Sequence, residues 1–310
     1  MTVPVVFIGG FGRSGSTLVE RVLGQVPGHV AVGELVHLPQ RGLIDDDRCG
    51  CGKAFSDCPF WTDVGEAAFG GWRHVAGWRD LQLEVDRKRY LPDLIAPWRS
   101  HHQRHLQLHA ERLGRVYQAI AEVSGARVVV DSSKHVQTAF LLRHVPGISP
   151  RVVHLVRDSR GVAYSWTKEV ARPETDEGEL MARYRPTAAA AQYLAYNVLF
   201  HGLGLVSTPE VFLRYESFLA DPPGELRRLL RRLDLPDGVP SLGLEFLSSD
   251  HVELAPNHSV AGNPMRFRTG GMELRRDDEW RTRLPAGQRR AVTAITAPLL
   301  ATYGYLRPER

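Results

Sequence analysis

The chain has 310 residues, of which 43% are hydrophobic and 24% charged, an ordinary composition for a globular protein. This length suffices for one large α/β domain or two smaller ones. The longest apolar run near the N-terminus, Val3 to Gly10, is too short to span a bilayer, so we predict a cytoplasmic protein without a membrane span. The formal net charge of +4 suits an anionic ligand, but no basic run or aromatic-rich basic patch predicts nucleic-acid binding.

Predicted strands and helices alternate along the chain. The strand-like runs are Val3–Ile8, Val30–Val32, Arg127–Asp131, Arg151–Val156 and Glu210–Arg214. Helical spacing of apolar residues follows the first run between Leu18 and Val26, and it dominates from about 65 to 125 and from about 286 to 302. This alternation predicts a single α/β domain over 1–310, with a parallel β-sheet flanked by helices on both faces and a helical insertion at about 65–125.

The turn after the first strand has the composition of a phosphate-binding loop. It contains Gly12, Arg13, Ser14, Gly15, Ser16 and Thr17, and a helix follows it directly. Glycines allow backbone N–H groups to converge on an anion, and the helix N-terminus adds a partial positive charge. Hydroxyl groups and an arginine add further donors, so we predict a phosphate site here.

The spacing of this loop resembles that of the NTPase P-loop, G-x4-G-K-[ST], but Ser16 stands where the lysine would be. That lysine normally reaches the β- and γ-phosphates, so its replacement disfavours hydrolysis of a nucleoside triphosphate. Asp131, at a strand end, keeps open a P-loop kinase or NTPase that uses ATP and magnesium. A non-catalytic nucleotide-binding module is a third alternative.

Three cysteines lie close together at Cys49, Cys51 and Cys58. The spacing C-x-C-x6-C has no fourth ligand nearby in the sequence and matches no standard zinc pattern. We therefore interpret the cysteines as packing groups within a loop and predict no metal, while a metal bound by these cysteines is left open as the alternative.

Two motifs in order resemble those of the sulfotransferase family. The loop Gly12–Leu18 resembles the loop that binds the 5′-phosphosulfate, and Val153–Trp166 resembles the element that binds the 3′-phosphate. The resemblance implies a P-loop NTPase-like fold and 3′-phosphoadenosine 5′-phosphosulfate (PAPS) as donor. It also implies 3′-phosphoadenosine 5′-phosphate (PAP) as product, no metal, and a 3′-phosphate held by Arg157 and Ser165.

Weaker similarities extend further along the chain. The segment Arg214–Phe218, which contains Tyr215, resembles a tyrosine-glutamate segment of bacterial members, and Asn257–Arg268 resembles a late loop that closes over the nucleotide. The resemblance makes Arg266 and Arg268 candidates for the 3′-phosphate. The segment 65–125 resembles nothing in the family, which suits recognition of the acceptor.

The same resemblance implies the catalytic residues. Glu34, after the P-loop helix, resembles the glutamate base of several sulfotransferases, and Lys134 aligns with the lysine that stabilises the sulfonate and the departing phosphate. His37 and His135 are lesser candidates for the base. The acceptor expected is a small molecule with a hydroxyl or amine group, and its identity is left open.

Overall fold

The computed structural model describes residues 2–97, 100–171, 180–206, 208–235 and 244–306. A five-stranded sheet has the order β2-β3-β1-β4-β5, and all of its paired strands are parallel. Its strands are β1 (Val3–Gly9), β2 (His29–Ala31), β3 (Val128–Lys134), β4 (Ile148–Val156) and β5 (Glu210–Arg214). The predicted fold class is therefore confirmed, and β3 continues to Lys134, three residues beyond the predicted end.

Helices cover both faces of this sheet. They are α1 (Ser16–Leu23), α2 (Pro59–Phe69), α3 (Trp78–Val85), α4 (Leu91–Ile95), α5 (Gln103–Ser124), α6 (Val136–Leu141), α7 (Ser159–Ser165), α8 (Pro186–His201), α9 (Tyr215–Ala220), α10 (Pro222–Leu233), α11 (Trp280–Arg283) and α12 (Ala286–Thr302). A two-stranded antiparallel hairpin of β6 (His251–Leu254) and β7 (Gly270–Glu273) was not predicted. No helix in the described ranges is long and apolar enough to cross a membrane.

The central position of β1 explains why its sequence is apolar at successive residues instead of alternating between apolar and polar. Val5 and Phe7 of β1 belong to one hydrophobic core, and Val6 and Ile8 belong to another on the opposite face. A strand that is buried on both faces needs apolar side chains at every position. The run Val3–Ile8 therefore reflects its place in the middle of a sheet with two covered faces.

The helical region of about 65–125 covers one face of the sheet. Helix α5 packs against α2 and α3, and Trp61 and Trp78 are among the largest fully buried side chains. His109 of α5 is also buried and accepts a hydrogen bond from Trp78 Nε1 at 2.9 Å. Trp78 and the apolar residues of α5 belong to the same hydrophobic core as Val5 and Phe7, so the region has a structural role in addition to any role in acceptor recognition.

The carboxyl ends of the strands come together at one edge of the sheet. Strand β1 lies between β3 and β4, so the connections that leave its two sides run in opposite directions across the sheet. Ligands of open parallel sheets bind in the crevice at such a point, outside the carboxyl ends of the strands. The candidate site lies at this edge, where Gly9, Lys134, Val156 and Arg214 end their strands.

Candidate active site

The loop between β1 and α1 presents free backbone donors. Within the described residues, the N–H groups of Ser16 and Thr17 have no hydrogen-bond acceptor, as expected in the first turn of a helix. Arg13 has a φ of 70° and Gly15 a φ of 88°, and this left-handed backbone turns the chain into the helix. The loop can therefore bind an anion through its backbone and through the helix dipole.

Two glycines of this loop allow a close approach that no side chain would permit. A Cβ at Gly10 would lie 2.3 Å from the carbonyl oxygen of Leu155, and one at Gly15 would lie 2.2 Å from the Tyr215 ring. Gly10 also has a φ of 137°. The loop is thereby held against the ends of β4 and β5, beside the residues predicted to bind the donor.

A cavity of about 620 Å³ opens beside the loop. Among the residues that line it are the predicted Gly12, Arg13, Gly15, Ser16, Thr17, Glu34, Lys134, Arg157, Ser165 and Tyr215. Arg41, His37 and His135 add further basic groups to the wall. Among the described lining residues, four guanidinium or ammonium groups stand against one carboxylate, a positive balance that suits a multiply charged anion.

Glu34 and Lys134 form a close ion pair in this cavity. The Lys134 ammonium donates to Glu34 Oε1 at 2.5 Å, and the two side chains are only 14% and 13% exposed. Lys134 has a φ of 66°, an unusual backbone conformation for a residue with a long side chain. Such conformations persist where the surroundings hold them in place, which is common at functional sites.

The backbone beyond Glu34 is fixed to the end of β3. The N–H of Leu35 donates to Asp131 Oδ1 at 3.4 Å, and that of Val36 donates to Ser133 Oγ at 2.9 Å. The N–H of Glu34 itself donates to the carbonyl of Ala261 at 3.2 Å. These bonds explain how a glutamate 100 positions away in sequence comes to face Lys134.

Two titratable groups beside Lys134, Glu34 and His135, differ in charge. Burial acts to raise the pKa of Glu34, but Lys134, together with His37 at 3.4 Å, outweighs it and holds that pKa well below its usual range. Burial, reinforced by His37 and Lys134, lowers the pKa of His135 to about 3. At neutral pH Glu34 is therefore a carboxylate and His135 a neutral imidazole.

Arg157 lies at the β4 end of the cavity, across β1 from Lys134, which is the last residue of β3. Its guanidinium donates to Asp277 Oδ2 at 3.2 Å and to the carbonyl of Arg13 at 3.3 Å, and it lies 5.4 Å from the centre of the Tyr215 ring. Ser165, at the end of α7, lines the same cavity. The predicted pair of Arg157 and Ser165 is thus brought together with the phosphate-binding loop.

Three predicted donor-binding residues do not line the cavity. Ser14 is buried and donates its hydroxyl to the carbonyl of Phe11 at 2.7 Å. Arg266 is fully buried and donates to the carbonyl of Arg48 at 2.9 Å, while Arg268 is exposed outside the cavity. The family resemblance of the late loop implied phosphate-binding guanidinium groups, whereas Arg266 instead binds backbone carbonyls inside the protein.

Asp131, the residue that kept a magnesium-dependent enzyme open, does not face the cavity. It is buried and accepts hydrogen bonds from the Tyr117 hydroxyl at 2.6 Å and from the Ser133 backbone at 2.8 Å. Its role in the structure is to hold the segment after Glu34. With Ser16 in place of the NTPase lysine, the two features that a kinase requires here are not met.

One wall of the cavity was not predicted from the sequence. It is largely aromatic and apolar and includes Phe11, Trp166, Leu180, Met181, Tyr184 and Tyr196. The predicted acceptor region of about 65–125 contributes none of the cavity-lining residues in its described part, although Lys88 lies 3.9 Å from the ring of Tyr196 behind that wall. Tyrosines at helical spacing in α8 were the available signal, but nothing in their spacing separates a cavity wall from a core.

Comparisons with known proteins identify the fold and the family. The chain shares 16% identity with a solved structure described as a sulfotransferase domain from the curacin biosynthetic pathway; the match covers 96% of this chain and 98% of that one, with a TM-score of 0.50. A sulfotransferase STF9 from Mycobacterium avium shares 16% identity over 97% of this chain and 76% of that one, with a TM-score of 0.46. No curated protein matches. A family model described as "Sulfotransferase family" matches residues 4–238, so the chain belongs to the sulfotransferase family and is a group-transfer enzyme of the sulfotransferase class.

Proposed function

We propose that this chain transfers a sulfonate group from PAPS to a hydroxyl or amine of a small-molecule acceptor, with PAP as the second product. The observation that carries the proposal is the position of a phosphate-binding loop and a carboxylate–ammonium pair in one cavity. In-line transfer of this kind spreads charge over the oxygens of the moving group, and its catalysis is mainly positioning and charge stabilisation. The cationic lining of the cavity supports the second of these, charge stabilisation.

Glu34 is the proposed base. The acceptor oxygen or nitrogen forms a bond to sulfur while the bond between sulfur and the bridging phosphate oxygen breaks, and its electron pair leaves with PAP. The acceptor proton passes to Glu34, and Lys134 offsets the charge on the sulfonate and on the departing phosphate. His37, at 3.4 Å from Glu34, is the alternative group for the proton.

The ion pair supplies a means of activating the base. In the structure Lys134 lowers the pKa of Glu34 against the opposing effect of burial. A phosphosulfate group in the cavity would compete for the same ammonium and draw it away from Glu34. With burial no longer offset, the pKa of Glu34 rises, so the carboxylate becomes a stronger base when the donor is present.

The aromatic wall bears on the acceptor. Trp166 and Tyr184 lie with ring centroids 4.6 Å apart, and Tyr196 lines the same side of the cavity. Flat apolar side chains bind apolar or ring-shaped surfaces of ligands. We therefore infer an acceptor that carries an apolar face beside its hydroxyl or amine.

Ligand-dependent thermal unfolding tests the donor assignment. Because a ligand that binds only the folded state stabilises it by mass action, PAP should raise the melting temperature far more than AMP or ATP, with or without magnesium. Equal shifts from PAP and AMP would contradict a site for the 3′-phosphate. A larger shift from ATP that depends on magnesium would instead support a kinase. An acceptor screen with isotopically labelled PAPS, read by mass spectrometry of the products, then tests transfer itself.

A further inference from the structure

The three cysteines acquire a fourth neighbour from a distant part of the chain. Cys49 and Cys58 are buried, Cys51 is exposed beside them, and the Nδ1 atom of His258 faces their sulfur atoms. His258 lies 200 positions after Cys58 in the sequence. The fold therefore assembles a Cys3His group outside the cavity described above.

The spacing of these four atoms matches tetrahedral metal coordination. Zn–S bonds of about 2.3 Å and Zn–N bonds of about 2.0 Å place neighbouring sulfurs about 3.8 Å apart and each sulfur about 3.6 Å from the nitrogen. The Cys58 sulfur lies 3.6 Å from that of Cys49 and 3.7 Å from that of Cys51. His258 Nδ1 lies 3.3 Å from the Cys58 sulfur and 3.8 Å from that of Cys49, and all four atoms lie within 4.8 Å of one another.

His258 is held in the orientation that a ligand requires. Its ring stacks on that of Phe60 with centroids 4.7 Å apart, and its carbonyl accepts a hydrogen bond from Trp61 Nε1 at 2.9 Å. Both aromatic residues belong to α2, the helix that begins after Cys58. These contacts fix the plane of the imidazole and the backbone from which it projects.

We propose that Cys49, Cys51, Cys58 and His258 bind one zinc ion as a structural site. A closed set of three cysteines and one histidine, with no open position, is typical of structural rather than catalytic zinc. The sequence-based prediction of no metal depended on the missing fourth ligand, which the fold supplies from the late loop. This inference is independent of the proposed donor and acceptor.

The site would join two loops that support the active site. The N–H of Gly50 donates to the carbonyl of Ser259 at 2.9 Å, and the N–H of Val260 donates to Val32 at 2.9 Å. From the same loop Ala261 accepts from Glu34, and Asn263 and Met265 line the cavity. Zinc bound at His258 would thus fix the start of a loop that contacts the backbone of the proposed base.

Metal analysis of the full chain, purified without a metal-affinity step, tests the proposal. Elemental mass spectrometry should find about one zinc ion per chain, the stoichiometry of a single four-coordinate site. His258→Ala and Cys51→Ser should each lose most of the zinc. His258→Cys should retain it, because four cysteines also bind structural zinc, whereas a packing role for the imidazole would not be restored by a thiol.

His105→Ala is the matched control, because His105 lies in an exposed group with Glu84 and His102 that could bind metal adventitiously. This variant should keep its zinc. Three results would overturn the proposal. They are wild-type protein without zinc, zinc that is lost from His105→Ala but kept by His258→Ala, and another metal at the same stoichiometry. A disulfide between two of the three cysteines in freshly purified protein would also overturn it. If a variant fails to fold, metal analysis of the soluble wild-type chain still tests the proposal.

Discussion

The two ends of the cavity differ in how their cations are partnered. At one end the Lys134 ammonium meets Glu34 at 2.5 Å, with both side chains nearly buried. At the other end Arg157 meets Asp277 at 3.2 Å, and Asp277 is 35% exposed. A buried pair responds strongly when a new charge arrives, whereas a solvent-screened pair contributes little and can exchange its partner at low cost. We therefore expect the first end to govern turnover and the second to govern affinity for the donor.

Removing the carboxylate should have the largest effect. Glu34→Gln keeps the size of the side chain but cannot accept the acceptor proton, so kcat should fall by about 10²–10⁴-fold, the usual scale for loss of a general base. The Kd of the donor should stay within a few-fold of wild type. Steady-state kinetics with an identified acceptor, together with calorimetric titration of PAP, measure both quantities.

Glu66→Gln, on the exposed surface of α2, is the matched control and should behave as wild type. Turnover of Glu34→Gln within a few-fold of wild type would transfer the proposed role to His37. Reduced binding of PAP without loss of turnover would remove the distinction between the two ends.

Removing the ammonium should have the next largest effect. Lys134→Ala deletes a cation that faces the transferring group, so kcat should fall by about 10²–10³-fold, as when one donor to a developing negative charge is removed. Donor affinity should also weaken, because the donor is anionic before the reaction. Lys53→Ala, at an exposed lysine outside the cavity, should leave both unchanged. A loss confined to donor affinity would show that Lys134 does not act on the transition state.

Arg157→Ala should act mainly on affinity. A hydrogen bond to a charged group contributes about 1.5–3 kcal/mol, so the Kd of PAP should rise by about 10–100-fold. Because the 3′-phosphate does not change charge during transfer, its binding energy is largely uniform and kcat should change little. Titration with PAP and with AMP tests this assignment. AMP has no 3′-phosphate, so its affinity for Arg157→Ala should be close to its affinity for wild type. An equal loss for both nucleotides would place Arg157 elsewhere on the donor.

Asp277→Asn should change the affinity for PAP in the opposite direction to Arg157→Ala, at the same end of the cavity. Asp277 neutralises Arg157 and Lys168 in the structure, and these two cations hold the pKa of its carboxyl below the usual range against the effect of burial. Replacing it with a neutral amide should tighten PAP binding by about 2–5-fold, the scale of a partly exposed ion pair. Weaker binding would mean that Asp277 positions Arg157 rather than competes with the donor.

A second buried carboxylate, that of Glu20, shows that the charge of the hydrogen-bonding partner decides the direction in which a buried pKa shifts. Glu20 accepts hydrogen bonds from Gly33 N–H at 2.7 Å and from the hydroxyls of Ser132 at 2.9 Å and Ser259 at 3.3 Å, all neutral donors. Burial raises the pKa of Glu20 to about 7, even though these bonds and Lys134 act to lower it. Glu34, with an ammonium in contact, shifts in the opposite direction.

The raised pKa of Glu20 predicts a pH-dependent stability. Between its ordinary pKa of 4.5 and about 7, the folded state binds this proton more tightly than the unfolded chain. The free energy of unfolding should therefore fall as pH rises through this window, by about 3 kcal/mol for this group. Glu20→Gln should abolish that part of the slope. Urea unfolding of both proteins from pH 5 to pH 8 measures it, and parallel curves would contradict the assignment.

How far the sequence could predict the site depended on distance along the chain. The buried strands and the loop Gly12–Thr17 were predictable, because their signals lie within a few residues of one another. The pairing of Glu34 with Lys134 required two separate strand ends to meet, and only a family resemblance indicated it. Arg266 was named as a donor-binding candidate because the late loop resembles one that closes over the nucleotide, yet it is buried and binds backbone carbonyls.

Other features had no signal in the sequence that could distinguish them from the core. The aromatic wall around Trp166 and Tyr184 depends on how α7 and the segment before α8 pack beside the phosphate-binding loop, and tyrosine spacing does not record that packing. His258 became a neighbour of the cysteines through the path of the late loop, 200 positions downstream. Contacts of this kind are set by tertiary packing, which local patterns do not determine.

Arg21 of the helix that follows the phosphate-binding loop has a consequence for how a ligand would bind. Its guanidinium is buried and donates to backbone carbonyls of the late loop, at Ala255, Met265, Arg266 and Arg268. The conformational entropy of this loop is therefore lost when the chain folds, before any nucleotide arrives. Nucleotide binding then orders fewer residues of this loop. Calorimetry should therefore find a smaller entropic penalty for nucleotide binding than for a protein whose loop closes only around its ligand.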